Sequence, residues 1–266
     1  MADRGAKPGP VRYGAAVVLV AAAFASNALN GSDDSAGVLF EADFGGPDRL
    51  LTNEFAMHHP GSPRAVRSPQ WFVTSGSLFV RGGAATNGRL DDLTADARSR
   101  TGTNSAVFRA YTKERFHPNY QVAFEVRVEP PRTVAGLPPA PWDGLHLMLD
   151  AESPEAAYYV SLYRRNGEVV IKKKTPSGAD AGGSYVALSQ YVPSRLPSGR
   201  WSRVRVDVRR AGPQGVTIDL YENGRLLTTG TDDRAIYESA PFTGGRVGIR
   251  ADKTSFAIRE MTIEEL

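Results

Sequence analysis

The 266-residue chain has no cysteine, which excludes disulfides, thiolate metal sites and lipid attachment through sulfur. It also has little charge of either sign in excess. Of the formal +3, Arg4, Lys7 and Arg12 against Asp3 supply +2 within the first 28 residues, leaving +1 for the rest. A charge so small gives no argument for nucleic acid as a partner. Four catalytic signatures are missing: the Gly-x-Ser-x-Gly elbow, the Walker loop, Gly-x-Gly-x-x-Gly and His-Glu-x-x-His. His58 and His59 are adjacent, and such a pair alone does not make a metal site. No apolar run approaches the roughly 20 residues that a membrane-spanning helix needs, and no stretch carries the period of a normal amphipathic helix.

What is present begins with an export-like leader. "MADRGAKPGPVR" is a positive segment, "YGAAVVLVAAAFA" a short apolar run, and "AFA" or "SNA" offers the small residues of a cleavage site. Residues 1–28 are therefore expected to be a signal peptide, or an uncleaved anchor; only an uncleaved leader would make the membrane a partner. Either way the folded part is expected outside the cytoplasm. Residues 29–37 form a polar linker, and 38–266 are expected to fold as one domain. With 41% apolar and 23% charged residues, that domain can bury a core without staples.

Residues 38–266 read as strands divided by turns. In "YQVAFEVRVE" Tyr120, Val122, Phe124, Val126 and Val128 share one face, the period-two signal of a half-buried strand. "DGLHLMLD" puts Leu145, Leu147 and Leu149 on one side and His146 and Met148 on the other. "WSRVRVDVRR" alternates Val204, Val206 and Val208 with Arg203, Arg205, Asp207 and Arg209. Asn166-Gly167 and Asn223-Gly224 each sit between alternating runs, the composition of a type I′ hairpin turn. About ten strands with one apolar face each must cover one another. The expected fold is all-β, an antiparallel two-sheet β-sandwich of the jelly-roll kind.

The hairpin "YYVSLYRRNGEVVIKKK" carries the functional question. A two-residue Asn166-Gly167 turn pairs Arg165 with Glu168, Tyr163 with Val170 and Leu162 with Ile171. Val160, Leu162, Val169 and Ile171 then face the core, worth about 6–10 kcal/mol before entropy. The other face shows Tyr159, Ser161 and Tyr163 opposite Lys174, Lys172 and Val170, and an adjacent strand would add His146. Tyrosines among cationic donors suit a sugar; a solvated face that resists edge pairing is the plain alternative. Trp71, Trp142 and Trp201 read as core or rim, with Trp142 the best candidate for a sugar platform because it heads the strand bearing His146.

These segments, with "WFVTSGSLFVR", "IDLYENGRLL" and "GGRVGIRADKTSFAIREMTI", follow in an order that resembles concanavalin A-like lectin/glucanase domains, nearest in look to secreted bacterial laminin-G-like domains. The resemblance covers 38–266 and implies a concave sheet carrying any glycan site. It also implies a structural Ca2+, for which Asp43, Asp252 and Glu264 are the candidate oxygen ligands. Hydrolases of this kind use a Glu-x-Asp-x-Glu strand; Glu41-Ala42-Asp43 lacks its third member. The Arg-Ser-Glu-Leu and Gln-Ile-His strands of jelly-roll lyases are absent too. The expectation is a non-catalytic, exported carbohydrate-binding domain using Trp142, His146, Tyr159, Ser161, Tyr163, Lys172 and Lys174. A lyase or hydrolase of acidic glycans, with Tyr159, Tyr163, His146 and Lys172 as its machinery, is the alternative, and a structural envelope protein the third reading.

Overall fold

A computed structural model describes residues 37–87, 106–176, 184–211, 215–233 and 239–266. The expected leader, 1–28, and all but the last residue of the linker lie outside the described residues. The strands in the first half are β1 (Val38–Glu41), β2 (Arg49–Asn53), β3 (Trp71–Ser75), β4 (Ser77–Arg81), β5 (Ala84–Thr86), β6 (Val107–Thr112), β7 (Tyr120–Val128) and β8 (Gly144–Ser153). Then come β9 (Ala156–Arg164), β10 (Glu168–Thr175), β11 (Ser184–Ala187), β12 (Val192–Pro193), β13 (Ser202–Arg210), β14 (Val216–Glu222), β15 (Arg225–Asp232), β16 (Arg246–Asp252) and β17 (Phe256–Glu265). A four-residue helical turn, α1 (Phe55–His58), is the sole helix among the described residues.

The strands form two antiparallel sheets. One runs β15-β14-β13-β7-β17-β5-β4-β2, with β1 added on β17; the other runs β11-β10-β9-β8-β16-β6-β3, with β12 added on β10. The fold is thus the expected antiparallel β-sandwich, and strand alternation decides what lies between the layers. Val122, Phe124, Val126 and Val128 of β7 and Val204, Val206 and Val208 of β13 are at most 2% exposed and join one core. Leu145, Leu147 and Leu149 of β8 meet them from the second sheet, with Val160, Leu162, Val169 and Ile171 of the β9–β10 hairpin. Trp71 is core, stacked on Phe44 and edge-on to Phe40.

The hairpin register differs from the expected one. Val170 pairs with Ser161, Ile171 with Val160 and Lys172 with Tyr159, two residues away from the pairing a type I′ Asn166-Gly167 turn would impose. Gly167 donates its N–H to the Arg164 carbonyl at 2.9 Å, and within this turn Gly167 alone has positive φ, +75°. The turn proper is Arg165-Asn166, with Gly167 as the left-handed residue that follows it. Tertiary contacts select this form: Arg165 N–H donates to the Asp143 carbonyl and Asn166 N–H to that of Pro141. The other Asn-Gly pair does form the expected turn, with φ of +50° at Asn223 and +79° at Gly224 and Glu222 opposite Arg225. Because the slip is two residues, it leaves every β10 side chain on its expected face.

A bulge in β9 does change a face. Leu145 pairs with Tyr163 but His146 pairs with Ser161, so Leu162 is the extra residue. Leu162 and Tyr163 both lean inward, and Tyr163 is half-buried against the core. The expectation that Tyr163 joins the ligand face is therefore wrong. Beyond the bulge it is Arg164 that turns outward.

Two buried charges cross the sandwich, each tied to a tyrosine. Lys173 has inward parity and is fully buried; its Nζ lies 2.8 Å from Asp232 and donates to the carbonyls of Ser239 and Ala240. Tyr158 donates to the same Asp232 at 2.6 Å. Asp150, at a φ of +49°, accepts from Tyr120 at 2.8 Å and pairs with Arg210. In both cases a carboxylate of one sheet meets a tyrosine of the other, so the layers are fixed in register. Removing one partner from such a pair costs about 3–5 kcal/mol, because the other charge stays buried. Asp232→Ala is therefore expected to lose about that much in urea denaturation. Lys173→Met combined with Asp232→Asn, which still accepts from Tyr158, should recover most of it.

Candidate functional site

The outer face of the second sheet holds a cavity of about 340 Å³ lined by Trp142, His146, Tyr159, Ser161, Arg164, Lys172, Tyr185, Arg250 and Asp252. Two cross-strand rows build it. One runs Ser161–His146–Arg250–Arg109 and the other Lys172–Tyr159–Met148–Gly248–Tyr111. Met148 and Tyr159 with Tyr111, Ala151 and Ala157 form a second apolar cluster, so this face is packed rather than wet. Gly248 makes the packing possible, since a Cβ there would stand 2.7 Å from both Met148 and Tyr111.

Five of the expected ligand residues come together here: Trp142, His146, Tyr159, Ser161 and Lys172. Tyr163 does not, for the reason given above. Lys174 has outward parity but is buried beside the cavity, donating to the Pro154 carbonyl at 3.0 Å with its ammonium 5.0 Å from the Tyr185 ring centre. Burial, aided by Arg250, lowers it to about 8.

His146 is locked by its neighbours. Nε2 is 3.0 Å from the Trp142 carbonyl, which can only accept, so Nε2 carries the proton and Nδ1 accepts from Ser161 Oγ at 3.0 Å. Asp252 Oδ2 stands 3.6 Å from Nε2. Burial pushes the imidazole from 6.5 down to about 4, with Arg250 and Arg164 adding to the shift and Asp252 opposing it. The Tyr159 hydroxyl donates to Pro154 at 2.9 Å, and burial pushes its pKa upward, the wrong direction for a proton-abstracting base. The imidazole's one lone pair is taken by Ser161, and burial holds the Tyr159 phenol in its protonated form. The arrangement is suited to holding a ligand.

Residues not anticipated for binding complete the site. Arg250 places Nε 2.9 Å from Asp252 and donates to the Tyr185 hydroxyl at 3.1 Å. Tyr185 stands edge-on to Tyr159, with centroids 5.4 Å apart. Tyr191, beside the lining, has Lys172 and Arg164 against its ring. Alternation in "GRVGIRAD" marks Arg250 and Asp252 as outward, but only the pairing of β16 with β8 brings them to His146. Nothing local signals Arg164, because the bulge that turns it out is set by the partner strand.

The expected calcium ligands are not brought together. Asp43 accepts from the Gly45 N–H, Asp252 is paired with Arg250, and Glu264 accepts from Gln121 and Thr262. Among the described residues no group of three or more His, Asp or Glu side chains is placed to hold a metal ion.

No protein-family model matches the chain, and no curated protein matches its sequence. Solved structures do. A protein of unknown function with a galectin-like fold from Bacillus subtilis matches at 14% identity and TM-score 0.52, covering 73% of this chain and 89% of that one. The carbohydrate-binding module CBM66 from the same organism matches at 11% identity and TM-score 0.49 over 74% and 96%. A legume lectin-like domain from Entamoeba histolytica matches at 9% and 0.49 over 74% and 90%. The likeness shows the fold, a two-sheet jelly roll of the galectin-like kind.

The His146 geometry sets a pH dependence. Between pH 6.5 and about 4 the unfolded chain binds a proton that the folded imidazole refuses, so His146 makes stability fall as pH falls. Its full effect is on the order of 3 kcal/mol. Glu222, raised by burial from 4.5 to about 7, has the opposite slope over most of this window. The wild-type stability profile minus that of His146→Asn is therefore expected to rise with pH from 4 to 6.5; a flat difference would contradict the buried neutral imidazole.

Proposed function

We propose that the protein is an exported, non-catalytic carbohydrate-binding domain that takes a polysaccharide or other glycan on the outer face of its second sheet. The observation that carries this reading is the placement of exposed aromatics. Trp142, Tyr185 and Tyr191 are 56%, 42% and 48% exposed, and all three stand at the one cavity where Ser161, Arg164, Lys172 and Asp252 also converge. Large aromatic surface left in water calls for a partner, and a sugar ring offers a complementary apolar face with hydroxyls at its edge. Asp252, paired with Arg250, lies in the cavity lining. The groups that could move a proton, His146 and Tyr159, are committed to backbone and side-chain partners, which favours binding over catalysis. Export rests on the charged, then apolar, amino-terminal segment.

Affinity electrophoresis against a panel of neutral and acidic polysaccharides tests the reading. At least one polymer should retard the protein, and Trp142→Ala and Tyr185→Ala should each weaken binding roughly fivefold to tenfold. Trp201→Ala, on the other sheet, should not. Retardation by no polymer, or equal loss in all three variants, would overturn it.

A further inference from the structure

We infer that the glycan is acidic, and that its carboxylate or sulfate docks between Lys172 and Arg164 against Tyr191. This rests on the glycan-binding reading and narrows its ligand. The cavity lining contains three cations, Arg164, Lys172 and Arg250, and one carboxylate, Asp252. Arg250 and Asp252 neutralise each other at 2.9 Å, and His146 is held neutral by its partners. Two positive charges are left. Arg164 is 6% exposed and reaches one carboxylate, Glu168, at 3.4 Å. That carboxylate is 42% exposed and also takes Asn166. Arg164 Nε is buried without an acceptor. Lys172 has no carboxylate within 4.0 Å among the described residues; its ammonium lies 5.4 Å from the centre of Tyr191 and 5.9 Å from that of Tyr185.

Lys172 and Arg164 share the Tyr191 ring, the guanidinium carbon standing 5.6 Å from its centre. Two cations gathered on one aromatic repel each other, and the ring quadrupole offsets little of that at a partly exposed site. Arg109, across the strand from the neutralised Arg250, adds to the positive field. An anion entering beside Lys172 relieves this repulsion and accepts charge-assisted hydrogen bonds, about twice as strong as neutral ones. The groove on the other sheet also sets two arginines on one ring, Arg127 and Arg259 on Trp201, but there Arg259 is held by Glu125 at 2.6 Å, closer than the 3.4 Å of Arg164 to Glu168.

Matched polymers test the inference by calorimetry: polygalacturonate against its methyl ester, and dextran sulfate against dextran. One acidic member is expected to bind roughly tenfold or more tighter than its neutral partner, and which one does so distinguishes carboxylate from sulfate. That preference should shrink at about 1 M NaCl, where the Debye length is about 3 Å. Lys172→Met should remove most of it and Lys172→Arg should keep it, while Arg203→Met, an exposed cation on the other sheet, should leave it intact. Equal binding of acidic and neutral members, or a preference that Lys172→Met and Arg203→Met reduce alike, overturns the acidic assignment and leaves glycan binding standing. Binding to neither pair, together with silence on the wider panel, removes both.

Discussion

The period of two along β9 and β10 is the constraint from which the site follows. Each strand must send alternate side chains into the sandwich, and burial of Val160, Val169 and Ile171 decides which. Tyr159, Ser161, Lys172 and Lys174 are then left on the outer face by elimination. Where alternation would bury a charge, the fold supplies partners for it. Lys173 lies between two outward lysines and turns inward, where two carbonyls and Asp232, itself held by Tyr158, receive it. Without that set, the same parity would put an unpaired ammonium in the core.

The outer face gains its shape from distant parts of the chain. Strand β16 brings Arg250 and Asp252 next to His146, and β11 brings Tyr185 over Lys174 and Tyr159. These additions turn a row of polar side chains into a walled cavity. They also set the character of its groups: His146 becomes a neutral donor–acceptor link between Trp142 and Ser161, and Asp252 is tied to Arg250. The cavity thus combines fixed hydrogen-bonding groups at its base with exposed aromatics and surplus cations around it.

Much of this was legible in the residues. Strict alternation in "YQVAFEVRVE" and "WSRVRVDVRR" reads directly as half-buried strands, and enough of them demand a second sheet. His146, Tyr159, Ser161 and Lys172 were readable as a shared face for the same reason. Two kinds of information were not local. The β9 bulge, which sends Tyr163 inward and Arg164 outward, depends on how β8 pairs. The Asn166-Gly167 turn gives way to hydrogen bonds that Arg165 and Asn166 donate to the Asp143 and Pro141 carbonyls, whereas Asn223-Gly224 keeps the turn its composition favours while Asn223 bonds Arg203 of the adjoining strand. Contacts across the sheet, such as Arg250 against His146, require the strand order, and alternation within one strand carries no record of it.

The central claim is that ligand binds the outer face of the second sheet. Mapping of amide and indole resonances by NMR during titration with a bound oligosaccharide tests it most directly. The account predicts shifts concentrated at Trp142, Ser161, Lys172 and Tyr185, with the Trp201 indole on the opposite sheet unmoved. Shifts gathered around Trp201, Arg127 and Arg259 instead, with the Trp142 indole unchanged, would contradict it.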